Sequence, residues 1–279
     1  MGKITEALKK VSDERLARIQ KRPEIQYIVK KVKNTSIDQH IVSFHDPNSP
    51  IDEQYKILRT NIQSLKHAKN YKSFIITSSI DGEGKTITAL NLAVTTAHDL
   101  SDKSILLIDA DMRKGKVARY LGVTPRAGLS ELLQEKAEAD DVFISPGIAN
   151  LTVVLAGKRP KNPSALLNSK KLEQFIAMLK TRFDYIFIDT PPVMPLTDAC
   201  IIGPMVDGAI FVIQAGKTQR DIVKHAETRL YQARAKTVGY VITNIEYHLP
   251  NYLYRYINRY DNYHYYSNKT SENKEEVLT

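Results

Sequence analysis

From residue 73 onward, short runs of β-forming residues alternate with longer stretches of helical period. Residues 73–78, 105–109, 151–155, 185–189, 209–214 and 238–243 read as strands, and 85–98, 170–181 and 218–235 as helices. Several strand runs are apolar throughout, such as Ile105-Leu106-Leu107-Ile108, where a half-exposed strand would alternate. That pattern marks strands covered on both faces, and strand–helix alternation places the covering helices around a parallel sheet. The expected fold is α/β, with a mostly parallel central sheet flanked by helices.

Upstream and downstream the pattern differs. Ile4, Leu8, Val11, Leu16 and Ile19 stand among charges within residues 3–22, roughly one apolar stripe at helical spacing. Asn34-Thr35-Ser36 and Asp46-Pro47-Asn48-Ser49-Pro50 mark residues 33–50 as a linker, and a further helix is predicted over 52–67. Beyond Asn244, eight of the 15 tyrosines (247, 252, 254, 256, 260, 263, 265 and 266) fall within twenty residues. Residues 267–279 are polar and read as disordered. These shifts divide the chain into a basic helical extension and linker (1–50), a central domain (51–246) and a flexible tyrosine-rich tail (247–279).

Composition narrows the classes. With 279 residues, 25% charged and 42% hydrophobic, the chain can bury one full core and still carry appendages. Cys200 is its one cysteine, so no intrachain disulfide forms, which fits a reducing compartment. No apolar run approaches the ~20 residues that span a bilayer. The start, Met1-Gly2-Lys3-Ile4-Thr5-Glu6, has no apolar signal core, so a soluble, cytoplasmic chain is expected. Of the net charge of +9, +6 lies in residues 1–33, where ten Lys/Arg face four acids. Such an extension either seeks an anionic partner or is simply a solvated helix.

Candidate chemistry begins after the first strand. Ser79-Ile80-Asp81-Gly82-Glu83-Gly84-Lys85-Thr86 matches the phosphate loop G-x-x-x-x-G-K-[ST], with Ser79 at the first glycine. Gly82 and Gly84 let backbone N–H groups close around phosphate oxygens at a helix N-terminus. Lys85 reaches the β- and γ-phosphates, and the Thr86 hydroxyl suits Mg²⁺. A Gly-rich turn with a chance lysine is the alternative, disfavoured by the strand before and the helix after.

Two more strands end in acids. Asp109 and Asp111 follow Ile105–Ile108, and Asp189 closes Tyr185-Ile186-Phe187-Ile188. At the carboxyl edge of a parallel sheet, beside a phosphate loop, such aspartates hold Mg²⁺ directly or through water. One of them alone would pass for a helix cap or turn residue. Together they indicate ATP and Mg²⁺ on a P-loop NTPase fold.

That fold does not fix the reaction. Residues 52–266, however, resemble the bacterial tyrosine kinases (BY-kinases) of capsule and exopolysaccharide systems, the CapB/CpsD and Wzc cytoplasmic-domain type. The resemblance rests on Asp109-Ala110-Asp111-Met112-Arg113 (D-x-D-x-R), on Asp189-Thr190-Pro191-Pro192 (D-x-x-P) and on Gly157-Lys158-Arg159-Pro160-Lys161-Asn162-Pro163-Ser164. It implies an ATP-dependent protein-tyrosine autokinase that regulates polysaccharide synthesis or export. Lys85 would stabilise the transferring phosphoryl group, while Thr86, Asp111 and Asp189 organise Mg²⁺. Asp109 would orient or deprotonate the tyrosine hydroxyl, with Asp111 as the other candidate.

The resemblance further implies nucleotide contacts from Ser79, Asp81, Gly82, Glu83, Gly84, Ile87 and Asn244. It makes Tyr252, Tyr254, Tyr256, Tyr260, Tyr263, Tyr265 and Tyr266 the autophosphorylation cluster, modified in trans. The implied partners are further copies in a ring-like homo-oligomer, a membrane-embedded polysaccharide chain-length regulator as activator, and other protein tyrosines. That places the chain at the inner face of the plasma membrane, with no nucleic acid expected. Arg113 pairs with a carboxylate, with an incoming tail or in a surface ion pair. In the family's E-x-x-R-x-x-R-T-N signature, Lys56 stands at the first arginine; it keeps the charge and loses the bidentate fork.

Two other classes compete. A MinD/ParA-type positioning ATPase would carry an extra lysine in K-G-G-x-G-K-[ST], and Ile80-Asp81-Gly82 lacks it. A nucleic-acid binder could stack bases on the Tyr/Arg-rich tail, but no RNA-binding motif accompanies it.

Overall fold

The computed structural model describes residues 30–31, 37–124 and 126–245. The stripe over 3–22 and the tyrosine cluster from residue 247 lie outside the described residues. Residues up to Thr243 form one unit; of a second, beginning at Asn244, only Asn244 and Ile245 are described, both exposed.

The strands among the described residues are β1 (Lys30–Lys31), β2 (Ser73–Ser78), β3 (Ile105–Asp109), β4 (Phe143–Ser145), β5 (Leu151–Val154), β6 (Tyr185–Asp189), β7 (Gly208–Gln214) and β8 (Thr237–Thr243). They form one sheet in the order β1-β4-β5-β3-β6-β2-β7-β8. Only β4 against β5 is antiparallel; every other neighbouring pair runs parallel. The helices are α1 (Val42–His45), α2 (Pro50–Lys69), α3 (Lys85–Asp99), α4 (Val117–Tyr120), α5 (Leu129–Leu133), α6 (Ala139–Val142), α7 (Pro163–Leu167), α8 (Lys170–Arg182), α9 (Asp198–Ile202) and α10 (Arg220–Gln232).

Side-chain alternation splits the central strands between two cores. In β3, Leu106 and Ile108 join one cluster and Ile105 and Leu107 the other; in β6, Ile186 and Ile188 part from Tyr185 and Phe187 in the same way. The first cluster takes in Leu172, Phe175, Ile176 and Leu179 of α8 and Leu230 of α10; the second takes in Leu90, Leu92 and Val94 of α3. Helices therefore cover both faces, which is why β2, β3 and β6 are buried at every position. Each fully buried Leu, Ile or Phe contributes about 1.5–3 kcal/mol.

Local signals fix the element ends. Ser49 caps α2, its Oγ accepting from Asp52 N at 3.1 Å, with Pro50 in the first turn and Asn70 closing the helix at φ 57. The stretch read as a linker, 33–50, belongs to the fold from residue 37 on: Ile37 and Ile41 are buried in the second core, and α1 packs on α3. Its Pro/Asn/Ser content marks turns and the α2 cap rather than free chain. The last long helix is shorter than the predicted 218–235, because Thr218 is drawn off to bond Glu83 and Arg234 sits at φ 60.

Candidate active site

The loop between β2 and α3 is shaped by two glycines and one buried acid. Gly82 and Gly84 adopt φ 81 and 92, the left-handed region that a side chain resists. Glu83 lies between them at 1% exposure. Its Oε2 accepts from Ile80 N at 2.8 Å, and its Oε1 accepts from Gln214 N at 3.3 Å and from the Thr218 hydroxyl at 2.5 Å. Its carbonyl accepts from Thr243 Oγ1 at 2.8 Å. The loop is thus bound to the ends of β7 and β8. Lys217 Nζ donates to the carbonyls of Asp81 and Gly82 at 3.2 and 3.4 Å, and Lys114 Nζ meets Asp81 Oδ2 at 2.9 Å.

Lys85 and Thr86 open α3 and face the acids. Lys85 Nζ is 3.6 Å from both Asp111 Oδ2 and Asp189 Oδ1, and Thr86 Oγ1 donates to Asp189 Oδ2 at 2.7 Å. Sheet register brings the acids together, since Asp109 and Asp189 are direct partners across β3 and β6. Burial, then repulsion from Asp189, pushes the Asp109 carboxyl up to about 8. Burial raises Asp189 too, opposed by Lys85 and the Thr86 hydroxyl. Burial opposes the Lys85 ammonium as well, but Asp189 and Asp111 outweigh it and hold its pKa above the ordinary lysine value. The site is three buried acids around one cation.

The two aspartates after β3 differ. Asp109, 1% exposed, accepts from Asp111 N and from Val117 N, both at 3.1 Å, and so pins the turn. Asp111 accepts from Arg113 N at 3.3 Å and Lys114 N at 2.9 Å through Oδ1, leaving Oδ2 toward Lys85. Arg113 pairs with a carboxylate: Nε donates to Asp198 Oδ2 at 3.4 Å and Nη2 to Ser164 Oγ at 2.8 Å, and Ser164 donates to Asp198 Oδ1 at 2.8 Å. Asp198 is fully buried, so this is no surface pair.

Of the other expected nucleotide contacts, Ser79 is buried, Asp81 exposed and Ile87 half-buried on α3. Asn244, at φ 54, lies in the second unit. Sequence reasoning missed Asp198, Thr218, Lys217 and Thr243. Ser164 stands in the quoted Asn-Pro-Ser segment, a signal for that position; the other four lie in no motif. In the E-x-x-R-x-x-R-T-N segment, Lys56 donates to Glu53 Oε1 and the Pro47 carbonyl, and Arg59 to Asp99, all within the chain.

A family profile described as an AAA domain matches residues 71–217. The chain is 31% identical to the tyrosine-protein kinase YwqD of Bacillus subtilis, over 86% of this chain and 97% of that one. It is 35% identical to the tyrosine-protein kinase CpsD of Streptococcus agalactiae, over 72% and 86%. Among solved structures, the kinase domain of the Escherichia coli tyrosine kinase ETK superposes with a TM-score of 0.73 at 27% identity, covering 84% of this chain and 88% of that one. The phosphate loop facing strand-end aspartates agrees with these likenesses, and the chain belongs to the bacterial tyrosine-protein kinases.

Proposed function

We propose that this kinase transfers the γ-phosphoryl group of ATP to tyrosines of the tail, 247–279, of a neighbouring copy. The convergence of Lys85, Thr86, Asp111 and Asp189 on one point carries the reading. Mg²⁺ fits that point. Asp189 Oδ1 is buried without a hydrogen-bond partner, and the donors are hard oxygens. Among the described residues no group of three His, Cys, Asp or Glu forms a metal centre by itself. Mg²⁺ bound to a nucleotide needs few protein ligands, and Thr86, Asp111 and Asp189 are those this chain would supply. When bound, the ion supplies charge neutralisation on the phosphates.

The chain's own groups do the rest. Loop N–H groups around Gly82 and Gly84 cradle the phosphates, and the Lys85 ammonium meets charge developing on the transferred group. The tyrosine oxygen bonds to the γ-phosphorus as the bond from that phosphorus to the β–γ bridging oxygen breaks, and ADP leaves. A carboxylate of the Asp109–Asp111 pair takes the phenol proton, whose ordinary pKa near 10 makes late acceptance useful. Ser79, Asp81, Glu83 and Ile87 belong to the nucleotide side.

Each phosphate adds nearly two negative charges, so a multiply phosphorylated tail repels the acidic edge and loosens a ring-like assembly. Comparing oligomer mass before and after ATP tests that cycle; an unchanged mass rejects it. The basic residues 1–33 would dock to anionic lipid or to a membrane-embedded chain-length regulator that activates the kinase at the inner face of the plasma membrane. The central test is mass-spectrometric mapping after incubation with ATP and Mg²⁺, activator included. Phosphotyrosine at several of Tyr252, Tyr254, Tyr256, Tyr260, Tyr263, Tyr265 and Tyr266, absent from Lys85→Met, is expected. An unmodified wild-type tail would end this reading.

A further inference from the structure

A cavity of about 830 Å³ opens between α5 and the 157–162 segment and is lined by Glu131, Gln134, Lys136, Lys158, Arg159 and Lys161. Four of those six side chains are cations. Among the described residues Lys158, Arg159 and Lys161 make no ion pair with a carboxylate, and Lys136 donates to the neutral Gln134 Oε1 at 2.8 Å. The one acid is already engaged: Glu131 accepts from Gly128 N at 2.9 Å through Oε2 and from Lys158 N at 3.0 Å through Oε1. With one acid against four cations, the cleft keeps an excess of positive charge.

The floor is stiff as well as basic. A Cβ on Gly157 would lie 2.0 Å from Glu131 Oε2, and one on Gly128 would lie 2.5 Å from Gly157 N, so the start of the segment packs on the entry to the helix with no room for a side chain. The segment then runs into the active site. Asn162 caps α7, its Oδ1 accepting from Ala165 N at 3.3 Å, and Ser164 in the first turn accepts from Arg113 of the D-x-D-x-R loop. A rigid basic cleft thus adjoins the loop that carries Asp109 and Asp111.

We infer that this cleft binds phosphotyrosine of a tail already modified by the kinase. The inference rests on the proposed autophosphorylation. A tyrosine phosphate brings about −1.5 to −2 charge and three acceptor oxygens, which a guanidinium meets with its fork and lysines as point charges. The tail spaces its tyrosines one to four residues apart from Tyr252 to Tyr266. At ~3.3 Å per extended residue, a phosphotyrosine seated in the cleft holds a further hydroxyl of the same strand nearby. The cleft therefore makes later phosphorylations on one tail easier than the first.

Synthetic peptides spanning residues 247–279 test this on the full chain without nucleotide, by fluorescence anisotropy. One carries phosphate on Tyr256 and Tyr260, one carries none, and one has glutamate at both positions. The phosphopeptide is expected to bind at least tenfold tighter than either control, with that preference erased in Lys158→Gln/Arg159→Gln/Lys161→Gln. A wild-type melting temperature verifies that variant's fold; should it misfold, Arg159→Gln alone is expected to weaken phosphopeptide binding at least threefold. Equal binding of the three peptides, or a preference untouched by the substitutions, overturns the inference. So does binding to phosphatidylglycerol vesicles that is lost in the triple variant while the phosphopeptide fails to bind. Because the phosphates are installed chemically, this test stands or falls apart from autophosphorylation, which tail mapping reads separately.

Discussion

Thr86 Oγ1 donates to Asp189 Oδ2 at 2.7 Å, joining the first turn of α3 to the end of β6 across 103 residues of sequence. The other Asp189 oxygen has no hydrogen bond, and Asp109 stands beside it in register. Asp189→Asn keeps an acceptor for Thr86 and removes one ionisable acid from the cluster of three. Without nucleotide the variant is expected to melt at or above the wild-type temperature, gaining up to about 1 kcal/mol, as when a functional site is relieved of its charge repulsion. Kinase activity should fall at least about 100-fold. Thermal melting beside a phosphotyrosine assay checks both, and a clear loss of melting temperature would contradict the first.

Arg113 holds the loop after β3 against α7 and α9 through Ser164 and Asp198. Arg113→Ala leaves the buried Asp198 carboxylate with Ser164 as its neighbour. Breaking a buried ion pair from one side costs about 3 kcal/mol. For a domain of this size that lowers Tm by roughly 10 °C. Arg113→Lys keeps the charge without the fork and should fall between the two, by differential scanning fluorimetry.

The core of the sheet was legible because several of its strands, such as β3 and β6, carry nearly unbroken apolar runs, a pattern that survives without knowledge of partners. The phosphate loop and its three aspartates were legible because their chemistry is bound to fixed spacing. Short elements were not: β4 has three residues, and α4 to α7 have four or five, too few to show a period. Residues 37–50 were misread because turn-forming residues dominate a segment whose burial rests on Ile37 and Ile41. Asp198 and Thr218 escaped because each meets its partner only through the fold; Asp198 Oδ2 and Arg113 Nε are 85 residues apart in sequence.

Two glycines should respond differently to alanine. At Gly128 a Cβ would stand 2.3 Å from the Leu155 carbonyl and 2.5 Å from Gly157 N, both backbone atoms that have nowhere to go. At Gly216, φ is 69 and nothing lies within 4 Å, so only the left-handed conformation resists. Gly216→Ala is expected to cost about 1 kcal/mol and Gly128→Ala several times that, by the mechanism of overpacking. Urea denaturation of the two variants checks the order.

Tyr240 on β8 donates its hydroxyl to Glu227 of α10, and that bond, with burial second, pushes the phenol up to about 12. The neutral phenol is the bonded form, so the contact is fully present below the ordinary value of 10 and is lost as pH rises through about 12. Glu227→Gln should return Tyr240 toward 10, seen as earlier phenolate absorbance in a titration compared with Tyr240→Phe. Identical curves for wild type and Glu227→Gln would reject the bond.

Glu83 gives the last test, because it separates loop shape from chemistry. It ties Ile80 N, Gln214 N and the Thr218 hydroxyl to one buried carboxylate. It touches neither Lys85 nor the three aspartates through any bond found among the described residues. Glu83→Ala unties the loop from β7 and leaves two backbone N–H groups to find other partners, at about 1–3 kcal/mol each where they stay dry. Nucleotide affinity depends on the loop's shape, so it should weaken at least about tenfold, or 1.4 kcal/mol. Saturating ATP should recover most of the turnover, since Lys85, Thr86 and Asp189 keep their own contacts. A raised KM with kcat nearly intact supports this division; a kcat loss as deep as that of Lys85→Met would place Glu83 in the chemistry itself.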